Sequence, residues 1–187
     1  MEYVDPIRDI ENINAIKDIL RTQSQRDLLL FVFGINTGIR ISDLLSLKIA
    51  DVWEEGKGKE FLCLKDSKSE EEGAFYLNGK IQEELQAYLG PLDFSPEDFL
   101  FKSKKHAQAI TRQQAYRIIN KAAKEVGIPG KIGTHTLRKT FGYHAYRKGI
   151  AISILMKTFH HHSSSETLRY IGIHQDELRL VKVDVNL

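Results

Sequence analysis

The chain lacks the features that would anchor it in a membrane or staple it covalently. No stretch of its 187 residues approaches the ~18 uninterrupted apolar residues of a membrane-crossing helix. The N-terminal MEYVDPIRD has no apolar core of the kind that begins a secretory signal. A single cysteine, Cys63, excludes an internal disulfide framework and fits a reducing compartment. HExxH and CxxC are absent, as are GxxxxGK[ST], GxGxxG and GxSxG, so the usual signatures of metallohydrolases, nucleotide binders and serine hydrolases are missing. No cofactor, nucleotide or membrane partner is expected. Internal repeats and low-complexity tracts are also absent. The length suits one domain spanning 1–187 that can bury most of its apolar surface, and a hydrophobic fraction of 42% argues against disorder.

A large excess of one charge is lacking too, but only in the total. The net charge of +2 hides a segregation. Residues 100–170 hold fourteen Lys/Arg and two acids, Glu125 and Glu166, a local charge of +12. The remainder carries 13 basic and 23 acidic residues, or −10. Such asymmetry fits a surface that faces a polyanion, or a solvated basic face with acidic neighbours folded over it.

Apolar periodicity predicts a helix over about Ile10–Arg21, then QRDLLLFVFGI opened by Ser24 and Asp27 and stopped near Gly38. Ser42 is placed to cap a short helix, SDLLSLK. From Ile49 to Tyr76, turn-rich clusters around short apolar runs predict a small antiparallel sheet whose second turn is the charged loop Asp66–Gly73. Helix resumes over about Lys80–Leu89, and Pro91 and Pro96 mark a linker ending in the short buried piece Phe99–Phe101. Thr111 with Gln114 opens TRQQAYRIINKAAKEV, closed by Gly127. Thr134 is placed to cap His135–Lys148, Ile152–Phe159 is a short apolar helix, and Ser165 begins another that reaches Tyr170. The tail Val181, Val183, Val185, Leu187 alternates like a strand.

His160-His161-His162 is conspicuous, but three adjacent residues cannot all face one ion, so no native metal site is expected. What remains is a set of basic and phenolic groups. His135 and Arg138 lie three apart at a helix start and project on one face, behind which the helix N-terminus adds partial positive charge. Arg40 follows the Thr37-Gly38 turn, and His161 precedes Tyr170 by nine residues. Two arginines with two histidines can cradle one phosphodiester, and a nearby phenol can attack it.

In this order and spacing the segments resemble those of the tyrosine recombinases, the phage-integrase family. NTGIRISDLLSLK resembles the family's first arginine motif, THTLRKTFGYHAYRKG its HxxR helix, and HHSSSETLRYIGI the segment with the second histidine and the nucleophilic tyrosine. The resemblance covers about Asp5 to Ile173 and implies the catalytic-domain fold of that family: α+β, mainly helical, with a small antiparallel three-stranded sheet.

The resemblance implies roles. Arg40 and Arg138 would clamp the equatorial oxygens on which transition-state charge builds. His135 would be the base and His161 a donor to a non-bridging oxygen. Tyr170 would be the nucleophile, forming a 3′-phosphotyrosine link. The family's hairpin lysine, the acid for the leaving 5′-oxygen, matches Lys68 in DSKSEEEG, with Lys65 as the alternative, which looks more structural within its apolar strand. Asp43 matches an acidic buttress. Two departures stand out. His160 occupies the position before the second histidine where the family usually has glycine, so the turn could differ and His160 or His162 could compete for the role. The loop after Lys68 is acidic.

Duplex DNA is the implied partner, with self-association on it as dimer to tetramer. Lys102, Lys104, Lys105, Arg112, Arg117 and Lys139 are the candidate backbone contacts. Residues 174–187 would form the tail exchanged between protomers. Most relatives carry an N-terminal DNA-clamping domain before the first helix, and no such domain is expected within 1–187, which fits either a stand-alone short recombinase or a catalytic fragment. The implied location is the cytoplasm, at the nucleoid. Two other readings share the fold: a catalytically silent DNA-binding regulator or accessory protein, and a relaxing enzyme of topoisomerase type. The filled catalytic positions favour the recombinase.

Overall fold

A computed structural model of the chain describes residues 4–65, 72–130 and 132–173. The hairpin turn with Lys68 and the alternating tail at 174–187 lie outside the described residues.

The chain enters through an extended segment and turns into α1 (Ile10–Gln23), capped by Asp9, whose carboxylate accepts from the Glu11 amide at 2.8 Å. α1 buries one stripe, Ile13, Ile16 and Leu20. Ser24 ends α1 and caps α2 (Gln25–Thr37), accepting from the Asp27 amide. α2 is apolar around its circumference, with Leu28 to Gly34 all buried, because α1, α5 and α7 surround it. It stops at Gly38 in the left-handed region, φ 66°.

α3 (Ile41–Ser46) follows at once, with Arg40 rather than Ser42 at its cap position. Ser42 lies inside the helix, where its hydroxyl donates to the Asp43 carboxylate. Ile49–Val52 is a single helical turn, α4, where strand character was expected. Its opening is held by the Asp51 carboxylate, which accepts from the Lys48 amide at 2.7 Å.

The expected three-stranded sheet is instead two separate antiparallel pairs among the described residues. β1 (Trp53–Glu54) and β2 (Lys57–Gly58) form a minimal hairpin through Glu55 and Gly56, both at positive φ. β3 (Phe61–Lys65) pairs with β4 (Glu72–Tyr76), from Phe61 opposite Tyr76 to Lys65 opposite Glu72. The ladder does not run on between them because a side chain intervenes. The Gln82 amide, on α5 (Gly79–Leu89), donates to the carbonyls of both Lys59 and Leu77 at 2.7 and 3.2 Å.

α6 (Arg112–Val126) carries the expected capping box of Thr111 and Gln114 and ends at Gly127, φ 79°. α7 (Thr134–Arg147) begins one residue earlier than expected, with Gly133 at the cap and its amide donating to the Thr136 hydroxyl at 3.1 Å. α8 (Ile152–Phe159) and α9 (Ser164–Tyr170, capped by Ser163) close the described chain.

Two apolar cores result. The larger gathers α1, α2, α5 and α6, with Phe31, Phe33 and Phe101 wholly enclosed. The smaller joins Leu155, Phe159, Ile171 and Ile173 to Phe141 and Tyr143 of α7. The two meet where α2 crosses α7. A Cβ on Gly34 would sit 2.6 Å from Leu137 Cδ1, and one on Gly38 would sit 2.4 Å from Phe141 Cδ1. Glycine at both positions lets the helices approach until one core rests on the other. Gly38→Ala therefore meets both positive-φ strain and overpacking, and is expected to cost about 2–4 kcal/mol. Gly34→Ala regains helix propensity and loses less. Urea denaturation of the two variants checks the order.

Candidate active site

The α2–α7 crossing places two guanidiniums together. Arg138, one residue after Leu137 on α7, is 8% exposed. It donates to the Gly38 carbonyl, and its other nitrogen donates to the Thr158 carbonyl at 2.9 Å. Its charge lies 4.7 Å from the centre of the Phe159 ring. The same turn that receives Arg138 places Arg40, at the α3 cap, within electrostatic reach of Arg138 and Tyr170. Burial lowers the affinity of Arg138 for its proton, with Arg40 adding to the effect, while Tyr170 and Asp43 oppose it. A guanidinium nonetheless stays charged, so the site is cationic. Asp43 thus acts electrostatically on Arg138, in keeping with a buttress.

Tyr170 is the last residue of α9 and is half-buried. Burial pushes its phenol above the ordinary tyrosine range; the Arg138 charge, the hydrogen bond from Arg138 and the Arg40 charge pull it back. Its ring packs against Phe159 at 5.2 Å and edge-on against His161 at 5.0 Å. Phe159 is thus the common wall of the site, also touching Phe141 and His161. Sequence periodicity marks Phe159 only as a helix-face residue, and its role emerges because α8 ends beneath Arg138.

His161 is oriented by Thr167. Its Nδ1 lies 3.0 Å from Thr167 Oγ1, and that hydroxyl donates onward to the Ser163 carbonyl at 3.2 Å. The Thr167 hydroxyl thus links the imidazole to the backbone at the α9 cap and leaves Nε2 as the ring's other polar atom. Desolvation lowers the His161 pKa; Glu166 opposes this, and Arg138, His162 and His160 add to it. The neighbouring His160 sits in the turn before His161. His160 adopts φ 57°, ψ 45° as the cap of α8, the conformation glycine adopts most readily, so the turn is kept by a strained non-glycine residue. The His161 ring contacts the Tyr170 ring. Replacing His160 by glycine is expected to raise stability by up to about 1 kcal/mol, with thermal denaturation as the check.

His135 is exposed on the first turn of α7, whose next residues, Thr136 and Leu137, are buried. Partial desolvation lowers its pKa, followed by the charges of Arg112, Lys139 and Arg138. A neutral imidazole at pH 7, beside the cluster, can accept a proton.

Lys68 lies outside the described residues. Lys65, read as structural from its apolar strand, is exposed at the end of β3. Among the DNA-contact candidates, Lys104, Lys105, Arg112 and Arg117 are exposed. Arg117 lines a groove of about 510 Å³ with Tyr116, Asn120, Lys121 and Lys124 on the outer side of α6. Lys102 is half-exposed and paired with Asp98 at 2.8 Å. Lys139 does not fit the expectation of a surface contact: it is 8% exposed, and its ammonium donates inward to the Val4 carbonyl at 2.8 Å. The helical face that carries it is covered by the N-terminal segment. No group of three or more His, Cys, Asp or Glu side chains able to hold a metal ion occurs among the described residues. No described helix is long and apolar enough to cross a membrane.

Comparisons with known proteins bear on the family and the fold. The family model described as the phage integrase family matches residues 8–177. The "Probable integrase/recombinase YoeC" of Bacillus subtilis (strain 168) is 41% identical over 179 residues, covering 96% of this chain and 95% of that protein. Among solved structures, that of XerA recombinase superposes with a TM-score of 0.75 at 22% identity, covering 96% of this chain and 63% of the other. XerH site-specific recombinase bound to its difH substrate superposes with a TM-score of 0.71 at 23% identity, covering 91% and 50%. The chain also spans about half the length of curated tyrosine recombinases from Pseudothermotoga lettingae and Thermodesulfovibrio yellowstonii.

Proposed function

The chain belongs to the phage integrase family and is a site-specific DNA recombinase of the tyrosine class, and we propose that it breaks and rejoins duplex DNA through a 3′-phosphotyrosine intermediate on Tyr170. The observation that carries this reading is the convergence on Tyr170 of three groups: the Arg138 and Arg40 charges, which both act on the phenol, and the His161 ring, whose centre lies 5.0 Å from that of the Tyr170 ring.

In the proposed reaction the Tyr170 oxygen attacks a phosphodiester, forming a bond to phosphorus as the bond to the 5′-oxygen breaks. A second 5′-hydroxyl then reverses the step on a new strand, so no metal or nucleotide is consumed. Arg40 and Arg138 hold the non-bridging oxygens and neutralise the charge that builds there. The carbonyl and ring contacts of Arg138 hold its guanidinium in place before DNA arrives. His135 accepts the phenol proton. Lys68, or Lys65 in its place, supplies the proton for the leaving oxygen. His161 donates to a non-bridging oxygen only when Nε2 carries a proton, which the incoming phosphate favours by its charge.

Lys104, Lys105, Arg112 and Arg117 are proposed to bind the DNA backbone, giving affinity that falls with salt. Several copies act together on the duplex, with residues 174–187 proposed to dock on a neighbouring protomer. The described residues are read as one catalytic domain, and the location proposed is the cytoplasm, at the nucleoid.

The decisive experiment uses a nicked suicide duplex that traps the covalent adduct. Wild type is expected to form the adduct, and Tyr170→Phe to form none while remaining folded to within about 1 kcal/mol, the worth of one hydrogen bond. An adduct that survives the substitution overturns the reading. The pH dependence follows from His135. Its folded-state pKa is depressed, so the base is already neutral at 7 and protonates only as pH falls below the ordinary value of about 6.5. The acid limb of adduct formation is therefore expected below 6.5. A limb centred above that value, or one unchanged in His135→Gln, contradicts the assignment.

A further inference from the structure

Ahead of α1, residues 4–9 form neither helix nor strand, yet α7 supplies partners for their backbone. Lys139 Nζ donates to the Val4 carbonyl at 2.8 Å. The Ile7 amide donates to Thr140 Oγ1 at 2.9 Å, and the Ile7 carbonyl lies 2.9 Å from His144 Nε2. Arg8 completes the attachment: its guanidinium donates to the Gly172 carbonyl at 2.6 Å and lies 5.4 Å from the centre of the Tyr143 ring. Pro6 approaches Gly172 so closely that a Cβ there would be 3.2 Å from its ring atoms. The segment is a strap that joins α7 to the turn immediately after Tyr170.

Lys139 is where the strap meets the phenol. The ammonium that holds the Val4 carbonyl lies 5.3 Å from the centre of the Tyr170 ring. Burying an ammonium is unfavourable, and burial does weaken the hold of Lys139 on its proton, with Asp5 on the strap opposing that loss. The same ring faces Arg138, Arg40 and the His161 imidazole from the other elements packed around it. Those groups converge on the proposed phosphate position, whereas Lys139 is held from the strap. When the phenol loses its proton the ring gains a full negative charge, so its attraction to a fixed cation grows at that moment.

We propose that Lys139 is a positioning residue for Tyr170, held in place by the strap: residues 4–8 fix the ammonium beside the ring, and the Arg8–Gly172 bond fixes the end of α9. The proposal rests on the reading of Tyr170 as nucleophile and extends it to residues that touch no phosphate.

The test compares Lys139→Met, which keeps the apolar stem and removes the charge, with Lys139→Arg, which keeps the charge. The tyrosines are labelled at 13Cζ, and the Tyr170 resonance is identified by its loss in Tyr170→Phe. Without DNA, Lys139→Met is expected to raise the Tyr170 titration by about one pH unit, tenfold less phenolate at a given pH. Lys139→Arg is expected to return it most of the way. On the suicide duplex, Lys139→Met is expected to slow adduct formation about tenfold per bound complex, with DNA affinity within about twofold, a factor set by leaving the phosphate contacts of the exposed cations intact. An unchanged Tyr170 titration overturns the proposal. So does weaker DNA binding with an unchanged rate per bound complex, which would return Lys139 to the role of a phosphate contact. If Lys139→Met does not fold, Arg8→Met releases the strap at Gly172 from outside the core: slower adduct formation per bound complex supports the strap, and an unchanged rate overturns it. Failure of the nucleophile reading is seen separately, as an adduct that survives Tyr170→Phe, and it leaves the titration result standing.

Discussion

Arg138 reaching the Gly38 carbonyl is the contact on which the rest of the site depends. It requires α2 and α7 to cross at glycine distance, since Leu137 and Phe141 occupy the space that side chains on Gly34 and Gly38 would need. It requires α2 to end at that point in a left-handed residue, which turns the chain so that Arg40 enters from the α3 cap. The same guanidinium also bonds the Thr158 carbonyl near the end of α8, so one side chain ties together three helix ends that are remote in sequence. A buried cation is costly unless its donors are used. Here the protein supplies carbonyls and a ring face instead of a carboxylate, and the charge is kept for an anion from outside.

That choice explains how the site can be strongly cationic and still folded. Arg138 lies within electrostatic reach of Arg40 and of both histidines, and His135 also feels Lys139. Mutual repulsion is limited because both imidazoles are driven toward the neutral form and because Asp43 acts on Arg138 without covering it. An arriving phosphate reverses the balance. It relieves the repulsion between the guanidiniums and makes a protonated His161 favourable. The hydrogen-bond chain from His161 Nδ1 through Thr167 to the Ser163 carbonyl holds the ring while that proton is gained, so the site can change charge without changing shape.

Much of this was legible in the sequence, for reasons that differ by residue. Helices with strong local signals stand where periodicity places them: the Thr111–Gln114 box opens α6, and Ile152–Phe159 is recovered to the residue. Signals that compete locally misled. Ser42 and Thr134 look like caps, but Arg40 and Gly133 hold those positions because tertiary contacts set where the chain turns. The sheet divides because Gln82, a residue with no strand signal, claims the carbonyls between the two pairs. The convergence of Arg40 with Arg138 and Tyr170 agrees with the order of motifs. The wall formed by Phe159 and the inward turn of Lys139 depend on which face α8 and the strap cover, and no local pattern carries that information.

The opposition between the halves of the chain takes its meaning from this packing. Residues 100–170, with their local charge of +12, divide into two populations. Lys104, Lys105, Arg112 and Arg117 are exposed, suited to contacts that set affinity and salt dependence. Arg138 and Lys139 are adjacent in sequence and equally buried at 8%, yet they face different tasks: one reaches the α2 terminus, the other the strap and the phenol ring. A count of basic residues merges these roles. Burial separates them, because a cation removed from water must find specific partners, and the partners it finds determine what it can do.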